Sequence, residues 1–405
     1  MKRILLLTTM YPDPLRPATK VCHYFATQWV AMGYEVLVIN YRSMFPRIYT
    51  DMAKLLPKLA ERYIGNHVEM DTNMDIIQHE VDGIPVYSIP IFKYFPHGAY
   101  SDREINKQVK KLKDILEERK YAPDIIIGHF YNPQMVIIPQ LKEMYPNAKT
   151  CLSLHEWYLD TIKKTYPKKY ERLLKSFDII GYRSVPIKRG FEAIYGNNYK
   201  GLLCFSGTAK DFLEAEPVDR TYSDGALTKF IFVGQFIQRK YPLETIKAVK
   251  NVYGNDGNFS LTFVGKKYMC YPEMAQYTKT NGLDEKVTFT GQIPRDEIIP
   301  LYDNSECFIM ISKYEVFGLV YLEAMSRGCL TIAARDEGMD GIIVDGENGF
   351  LCEAGNEKEL ETIIKKINTL PACEKKRISQ NAIKTARELS DYNVAKSYIQ
   401  QVENA

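Results

Sequence analysis

The chain has 405 residues, which is more than one typical hydrophobic core accommodates and predicts two domains of about 200 residues each. Its composition, 45% hydrophobic and 25% charged, is that of a globular protein, without an apolar run near the ~20 residues of a membrane-spanning helix. The net charge of +3 is modest and no nucleic-acid-binding module is recognisable, so we expect no nucleic-acid partner. The N-terminus lacks the apolar region of a signal peptide, which predicts a cytoplasmic protein.

Charged residues, cysteines and histidines are unevenly distributed. Residues 1–206 contain 29 lysines and arginines against 21 acidic residues, whereas the remainder contains 24 against 29. The basic first half favours an anionic partner, such as a membrane surface or an acidic acceptor, although solvated lysines explain most of this charge. The spacing of the eight cysteines predicts buried reduced thiols rather than disulfides or zinc. All six histidines lie in the first 155 residues, which excludes a histidine metal site in the second half.

Short apolar runs alternate with amphipathic segments along the chain, a pattern typical of βα units on parallel sheets. In the first half we predict strands at residues 3–8, 35–40, 84–89, 124–129, 150–154, 178–181 and 202–205. In the second half we predict strands at residues 229–233, 260–264, 287–290, 307–311 and 330–333. Helices are predicted between them, for example at residues 18–32, 102–119 and 243–249.

A polar segment, residues 206–228, interrupts this alternation and predicts a linker between two domains. We therefore expect a first domain at residues 1–206 and a second at 207–388, with a C-terminal helix at about 389–405 that packs back on the first. The predicted fold class is α/β, with two tandem Rossmann-like, doubly wound domains facing each other across a cleft. Ligands of such sheets bind at the carboxyl ends of the strands, so we expect two substrates to bind and react in this cleft, away from water.

The segment SKYEVFGLVYLEAMSRG, residues 312–328, places Glu315 just before a predicted helix and Glu323 in its second turn, with seven residues between them. The N-terminus of a helix offers free N–H groups to a phosphate, and Gly318 allows the backbone to approach such a ligand closely. Carboxylates on either side of a diphosphate would accept hydrogen bonds from sugar and ribose hydroxyls. The alternative is that Glu323 pairs with Arg327 one turn later and Glu315 is an exposed loop charge, and the segment alone leaves both open.

A second segment, FIFVGQFIQRKYPLETIKAV, places Gly234 at the end of a strand and Arg239 and Lys240 before a helix. Two cations at this position would neutralise a diphosphate leaving group, although a solvated basic turn is the simpler interpretation of this segment alone. The 21 aspartates include no Asp-X-Asp pair, the usual arrangement for holding a metal beside a nucleotide sugar. We therefore expect no metal and no cofactor.

These segments together resemble the GT-B fold glycosyltransferases, in particular the large retaining family 4 (glycosyltransferase group 1), over nearly the full length. The resemblance is carried by SKYEVFGLVYLEA, VGQFIQRK, VTFTGQIPRDEIIPLYDNSE, EGMDGIIVDGENGFL and LLCFSGTAKDF. It implies a nucleotide-diphosphate sugar donor of the UDP or GDP type, bound mainly by the second domain. The donor-binding residues that it implies are Gly234, Arg239, Lys240, Gly291, Ile293, Glu315, Phe317, Gly318, Leu319 and Glu323.

The resemblance also implies individual roles within this set. Lys240, with Arg239, would hold the diphosphate, Glu315 the transferred sugar and Glu323 the ribose. His155, in CLSLHEWY, matches the histidine near the reacting sugar, so the expected catalytic residues are His155, Glu315 and Lys240. His129 is a second candidate, expected on the acceptor side. The alternative for either histidine is a purely structural role in the core or a loop.

Three positions depart from the family pattern. Gln235 stands where arginine is frequent, and Arg239 is a candidate to compensate for it. Lys20 stands where glycine is common in the first loop, and Gly341 replaces a frequent acidic residue. These changes bear on the identity and orientation of the donor, and on activity itself.

The expected activity is metal-independent, retaining transfer of a hexose to a glycan or polyprenyl-linked acceptor, in the synthesis of a cell-surface polysaccharide. Residues 44–64 form a basic amphipathic pattern that would allow peripheral contact with anionic lipid at the inner face of the membrane, with basic clusters at 107–113 and 163–175 adding to it. The alternative is that this pattern packs on the first domain. Two other functions remain open from the sequence: a nucleotide-sugar epimerase of the same fold, and a non-catalytic nucleotide-sugar-binding partner.

Overall fold

The computed structural model describes residues 1–14, 20–49, 51, 73–95, 98–216 and 220–405. The chain divides into two compact units, each with its own sheet. The first unit comprises Met1–Arg183, Ile187–Cys204 and Ala395–Ala405, and the second comprises Ser184–Pro186 and Phe205–Val394.

The first unit is built on an eight-stranded sheet within the described residues. Its strands are β1 (Arg3–Thr8), β2 (Glu35–Met44), β3 (Ile77–Val81), β4 (Ile84–Phe92), β5 (Ile125–His129), β6 (Lys149–Leu154), β7 (Ile179–Tyr182) and β8 (Gly201–Leu203). The strand order is β3-β4-β2-β1-β5-β6-β7-β8, and every neighbouring pair is parallel except β3 with β4. The helices that follow these strands are α1 (Val21–Ala31), α2 (Asp102–Glu118), α3 (Gln134–Met144), α4 (Asp160–Thr165), α5 (Tyr170–Lys175) and α6 (Val185–Tyr195).

In the described part of the second unit the sheet has six strands, all parallel. Its strands are β9 (Lys229–Val233), β10 (Ser260–Val264), β11 (Val287–Gly291), β12 (Cys307–Met310), β13 (Leu330–Ala334) and β14 (Phe350–Cys352), in the order β11-β10-β9-β12-β13-β14. The helices are α7 (Lys210–Glu214), α8 (Pro242–Tyr253), α9 (Tyr271–Thr280), α10 (Ile299–Asp303), α11 (Leu319–Ser326), α12 (Glu357–Thr369), α13 (Ala372–Glu388) and α14 (Asp391–Glu403). Most of α14 belongs to the first unit, where Tyr398 on this helix is fully buried.

The central strands of both sheets are continuous apolar runs because helices cover both faces of a parallel sheet. Ile4, Leu5, Leu6 and Leu7 of β1 have no exposed surface, and neither do Phe308, Ile309 and Met310 of β12. This burial explains why the strands were recognisable in the sequence. The prediction of an α/β chain with two doubly wound, parallel-sheet domains is confirmed.

Two strands were not predicted. β3 alternates half-buried and exposed residues and pairs antiparallel with β4 through a turn at Asp82 and Gly83, both of which have positive φ (48° and 74°). The turn residues match a two-residue hairpin, which was a signal available in the sequence. β14 has only three residues, too few to show a periodic pattern.

Much of the segment predicted as a linker is an integral part of the second unit. Phe212 is 1% exposed and Leu227 is equally buried, and the Arg220 guanidinium donates to the backbone oxygens of Arg327 and Tyr302. All eight cysteines are free, seven of them buried as predicted, while Cys373 is exposed. The amphipathic pattern at 44–64 lies largely outside the described residues. None of the helices in the described ranges combines the length and apolar character needed to cross a bilayer.

Candidate active site

The carboxyl end of β9 brings a lysine against the backbone of a glycine. Gly234 follows the strand, and a Cβ atom at that position would lie 2.8 Å from the Nζ of Lys240. A 3₁₀ turn at Gln238–Lys240 carries this lysine, and Tyr241, with φ of 51°, then starts α8 at Pro242. The close approach therefore requires the glycine at position 234.

Two cations converge on one carboxylate at this edge of the second sheet. The Nζ of Lys240 lies 3.9 Å and the Nη1 of Arg239 lies 3.5 Å from the Oε2 of Glu315. The side chains of Lys240 and Glu315 are 14% and 15% exposed, whereas that of Arg239 is 42% exposed. Burial lowers the pKa of Lys240, while Glu315 opposes this shift and Arg239 adds to it.

The Glu315 carboxylate has an unused hydrogen-bonding atom. Its Oε2 is buried and accepts no hydrogen bond from the described residues, although both cations face it. The backbone around it is fixed, because Gly338 N–H donates to the Glu315 carbonyl and Glu315 N–H donates to the Oε2 of Glu337, each at 2.8 Å. A buried acceptor without a donor is costly, so this atom is suited to a hydroxyl group of a ligand.

Helix α11 begins beside Glu315 without a side-chain cap. Its N-cap is Gly318, with φ of 87°, where a Cβ atom would collide with the ring of Tyr321. Phe317 is 4% exposed, and Leu319 is the first residue of the helix. The first backbone N–H groups and the positive end of the helix dipole are thus placed close to Glu315, and their binding of a phosphate stays a prediction.

Glu323 is buried and paired with a residue that the sequence reasoning missed. Its Oε1 accepts from Arg295 Nη2 at 2.6 Å and from Arg295 Nε at 3.1 Å, and Tyr302 OH lies 3.4 Å from its Oε2. Burial raises the pKa of Glu323, and Arg295 opposes that shift. The alternative pairing of Glu323 with Arg327 is wrong, because Arg327 Nε instead meets the Asp303 carboxylate at 2.7 Å.

The two residues expected near the nucleobase lie on the neighbouring part of the same sheet. Gly291 ends β11 with φ of 79°, and its carbonyl accepts from Gly265 N–H, at the end of β10, at 2.9 Å. Ile293 is half-buried and packs on the core of the second unit. Arg295, four residues after Gly291, forms an ion pair with Glu323. This pair connects the loop after β11 to helix α11.

The two candidate histidines lie together in the first unit, at the ends of the adjacent strands β5 and β6. His129 Nδ1 and His155 Nε2 are 2.8 Å apart, and the His155 ring stacks on Phe130 with centroids 4.1 Å apart. Burial, followed by the nearby charge of Arg183, lowers the pKa of both histidines well below the ordinary value. His129 has no exposed surface, so it does not line the acceptor side as expected, and instead supports His155.

A carboxylate beside His155 was also missed. Glu156 accepts hydrogen bonds from Tyr131 N–H at 3.1 Å and His155 N–H at 2.9 Å. Burial raises its pKa to about 7, although these two N–H groups oppose the shift. The adjacent His-Glu pair in CLSLHEWY was the only signal for it in the sequence. Glu156 thereby fixes the backbone that carries His155.

The three departures from the family pattern have plain structural settings. Gln235 is exposed, and Arg239 lies 3.5 Å from the carboxylate that Lys240 also faces, so its compensating role stays a prediction. Lys20 is exposed before α1 and has φ of −84°, so this position does not demand glycine. Gly341 has φ of 93°, a conformation that an acidic residue adopts only with strain.

Comparison with known proteins identifies the class to which this fold and site belong. Residues 220–385 match the model of the family described as glycosyl transferases group 1. A protein of Methanocaldococcus jannaschii described as an uncharacterized glycosyltransferase is 26% identical over 335 residues, covering 78% of this chain and 89% of that protein. The lipopolysaccharide core biosynthesis glycosyltransferase LpsD of Rhizobium meliloti is 28% identical over 191 residues, 46% of this chain and 52% of that protein.

The fold matches solved structures over the whole chain. The structure of Anabaena HepE in complex with UDP and glucose superposes with a TM-score of 0.66 at 16% identity, covering 100% of both chains. The chain therefore has the GT-B fold. Together with the group 1 match and the glycosyltransferase relatives, this identifies it as a glycosyltransferase. Its group 1 segment, residues 220–385, contains Lys240, Glu315 and Glu323.

Proposed function

We propose that this glycosyltransferase transfers a hexose from a UDP- or GDP-type nucleotide-diphosphate sugar to a glycan or lipid-linked acceptor, with retention of configuration and without a metal ion. The observation that carries the proposal is the cluster of Lys240, Arg239 and Glu315. It offers two cations to a diphosphate. It also offers a sugar hydroxyl the buried Oε2 of Glu315, which accepts no hydrogen bond from the described residues.

The charge balance of this cluster favours an anionic ligand. Two cations share the Glu315 carboxylate at 3.5 and 3.9 Å, and Lys313 offsets the neighbouring carboxylate of Glu337, so the cluster keeps a net positive charge. Lys240 is mostly buried, and electrostatic attraction is stronger where water is excluded. A diphosphate that meets Lys240 and the N–H groups of α11 would leave Glu315 free to accept a hydrogen bond from the transferred sugar.

In the proposed reaction the bond between the anomeric carbon and the diphosphate oxygen breaks, and the electron pair leaves with the diphosphate. A bond from an acceptor hydroxyl oxygen to the same carbon forms, and the hydroxyl proton goes to the departing diphosphate. Lys240 and Arg239 stabilise the charge that develops on the leaving group. Glu323, oriented by Arg295, would hold the ribose, and His155 remains the candidate catalytic histidine of the first unit.

The donor and acceptor classes are supported by the relatives. HepE, which shares the fold, was solved with UDP and glucose, and the name of the Rhizobium meliloti relative assigns it to lipopolysaccharide core biosynthesis. We therefore place the acceptor among precursors of cell-surface polysaccharides, glycan or polyprenyl-linked. The corresponding location is the cytoplasmic face of the membrane, where the basic pattern at 44–64 would make peripheral contact with anionic lipid.

A panel of nucleotide sugars tests this proposal by thermal shift, since a bound donor stabilises the folded protein by mass action. One UDP- or GDP-sugar should raise the melting temperature, and the Glu315→Gln variant should reduce the shift given by the sugar nucleotide more than the shift given by the free nucleotide diphosphate. Glu285→Gln, which makes the same change at an exposed position of the second unit, is the matched control. A panel without any stabilising nucleotide would contradict the proposal.

A further inference from the structure

The first unit contains a buried amine without a polar partner among the described residues. Lys93 directly follows β4 and is 9% exposed, and its Nζ lies 5.0 Å from the centroid of the Tyr100 ring. Within the described ranges this ammonium group has neither a hydrogen bond nor an ion pair. The contact with the ring returns only part of the hydration energy that the amine loses, and Nζ itself is not fully enclosed, so an anion can reach it.

The other buried cations in the described part of the chain all have oxygen partners. Arg327 meets the Asp303 carboxylate, and the side chains of Arg42, Arg183 and Lys375 donate to backbone oxygens. Proteins rarely bury an unpaired charge, and unpaired groups concentrate where a ligand completes the interaction. Lys93 therefore differs from the remaining buried cations in a way that points to a missing anion.

Lys93 lies at the edge of the sheet where ligands of doubly wound folds bind. Its N–H donates to the Met44 carbonyl at the end of β2 at 2.7 Å, so the carboxyl ends of β2 and β4 meet here. The next two residues, Tyr94 and Phe95, are 59% and 67% exposed, and the Tyr94 ring packs edge-on against Phe92 with centroids 5.1 Å apart. Exposed aromatic side chains next to a cation are suited to a ligand with both an anionic and an apolar part.

A chain of contacts connects this position to the candidate histidine. The Tyr100 ring contacts the Lys93 amine. Two residues before Tyr100, the Gly98 carbonyl accepts a hydrogen bond from Asn132 Nδ2 at 3.3 Å, and Asn132 lies just after β5. Tyr131, next to Asn132, donates its N–H to Glu156, whose other oxygen accepts from His155 N–H. The amine and His155 therefore belong to one continuous edge of the first unit.

We propose that Lys93 binds a phosphate ester of the acceptor substrate, with Tyr94 and Phe95 contacting the group that this phosphate carries. The inference rests on the proposed function, because it assigns the acceptor of that reaction. A phosphate ester carries up to two negative charges and several acceptor oxygens, so one oxygen meets the ammonium while others remain hydrated. The ester is either a sugar phosphate or the phosphate of a lipid carrier, and both present the same group to Lys93.

The ionisation of Lys93 supports this assignment. Burial lowers its pKa to about 8, so the side chain is still mainly cationic at neutral pH. A bound phosphate would raise this pKa, because an opposite charge favours the protonated amine. Binding of the ester should therefore weaken as the pH rises above 8.

Calorimetric titration with glucose 1-phosphate and with octyl phosphate tests the proposal, on the full chain with UDP or GDP present to occupy the donor site. Lys93→Met removes the charge with little change in volume, and Lys107→Met removes an equal charge from an exposed position in the same unit. We expect at least one ester to bind the unsubstituted protein and at least tenfold weaker binding to Lys93→Met, with Lys107→Met unaffected. The ester that responds identifies the source of the phosphate.

Equal binding to the unsubstituted protein and to Lys93→Met, or no binding of either ester, would overturn the assignment. The melting temperature separates a ligand-binding role from a structural one, because Lys93→Met should melt higher than the unsubstituted protein. If Lys93→Met does not fold, Lys93→Gln replaces it in the same titrations. Nucleotide binding is recorded on the same samples: its absence counts against the proposed function, whereas normal nucleotide binding with an unaffected ester affinity counts only against Lys93.

Discussion

Arg295 closes its guanidinium on the carboxylate of Glu323, with Nη2 2.6 Å and Nε 3.1 Å from the same oxygen, Oε1. The other oxygen faces only the hydroxyl of Tyr302 among the described residues, at 3.4 Å. If Glu323 holds a ribose, Arg295 therefore fixes the rotamer of the carboxylate and leaves one oxygen for the ligand. The ion pair also links the loop after β11 to α11, so it fixes the two sides of the proposed nucleotide site relative to each other.

Replacement of Arg295 by methionine should destabilise the second unit by about 1–3 kcal/mol at pH 8, because it leaves a buried carboxylate without its cation. This value is below the range for fully buried pairs, since the Arg295 side chain is 35% exposed. Burial raises the pKa of Glu323 in the folded protein, so protonation relieves the loss at low pH and the loss grows as the pH rises. Urea unfolding at pH 5 and pH 8 measures this difference.

Glu323→Gln in the Arg295→Met background should recover part of the lost stability at pH 8, because it removes the unpaired charge. An equal loss of stability at both pH values, or no recovery in the double variant, would show that the ion pair does not stabilise the loop.

Gly234→Ala should weaken nucleotide binding. It should change the free energy of unfolding by less than it changes the free energy of binding. The new Cβ atom would lie 2.8 Å from the Nζ of Lys240, and a flexible lysine yields by moving its ammonium away. We expect roughly a tenfold loss of affinity for the nucleotide diphosphate, which corresponds to about 1.4 kcal/mol. Gly282→Ala, where no atom lies within 4 Å of the added Cβ, is the control for a substitution at a positive φ. Unchanged affinity in Gly234→Ala would mean that Lys240 does not bind the ligand in the position found here.

The buried amine of Lys93 should make the stability of the first unit depend on pH in the alkaline range. Its pKa is about 8 in the folded protein against an ordinary value of 10.5, so the unfolded chain binds more protons between these values and stability rises with pH across them. Below pH 8 the buried charge of Lys93 lowers the free energy of unfolding by its full amount, on the order of 3 kcal/mol. Burial raises the pKa of the neighbouring Tyr100 phenol to about 12, so this group stays neutral in this window.

Lys93→Met should therefore gain most stability over the unsubstituted protein below pH 8, and the gain should shrink toward pH 10.5. Denaturant unfolding of the two proteins at pH 7, 9 and 10 measures the difference, with Lys107→Met as a protein in which no such trend is expected. A difference that stays constant over this range would contradict the assignment of an unpaired buried ammonium to Lys93.

The parts of the fold that the sequence predicted are those that depend on local pattern. The strands at 3–8, 229–233 and 260–264 agree with the observed bounds, because a buried parallel strand is a continuous apolar run between polar turns. The turn at Gly234 and the helix start at Gly318 were also recognisable, since a glycine directly after an apolar strand or before a helix indicates a close approach of the backbone. The proximity of Lys240 to Glu315 was expected from the resemblance and is present at 3.9 Å.

The parts that were missed depend on contacts distant in the sequence. Arg295 is 28 residues from Glu323, and nothing local distinguishes it from a solvated arginine, whereas Arg327 was suggested by helical spacing and turns toward Asp303 instead. The burial of His129 follows from Tyr398 and Phe25, which pack against it from other elements. The absence of a partner for Lys93 among the described residues is a property of the folded unit alone.

The central claim is that Lys240 binds and stabilises the diphosphate leaving group of a nucleotide sugar without a metal. The most direct measurement is the rate at which the nucleotide is released from the stabilising donor, in excess EDTA, by the unsubstituted protein and by Lys240→Ala. We predict release that EDTA does not affect and a decrease of about 10²–10³-fold in Lys240→Ala, with circular dichroism showing that the variant is folded. Wild-type rates in Lys240→Ala, or release that EDTA abolishes, would contradict this account.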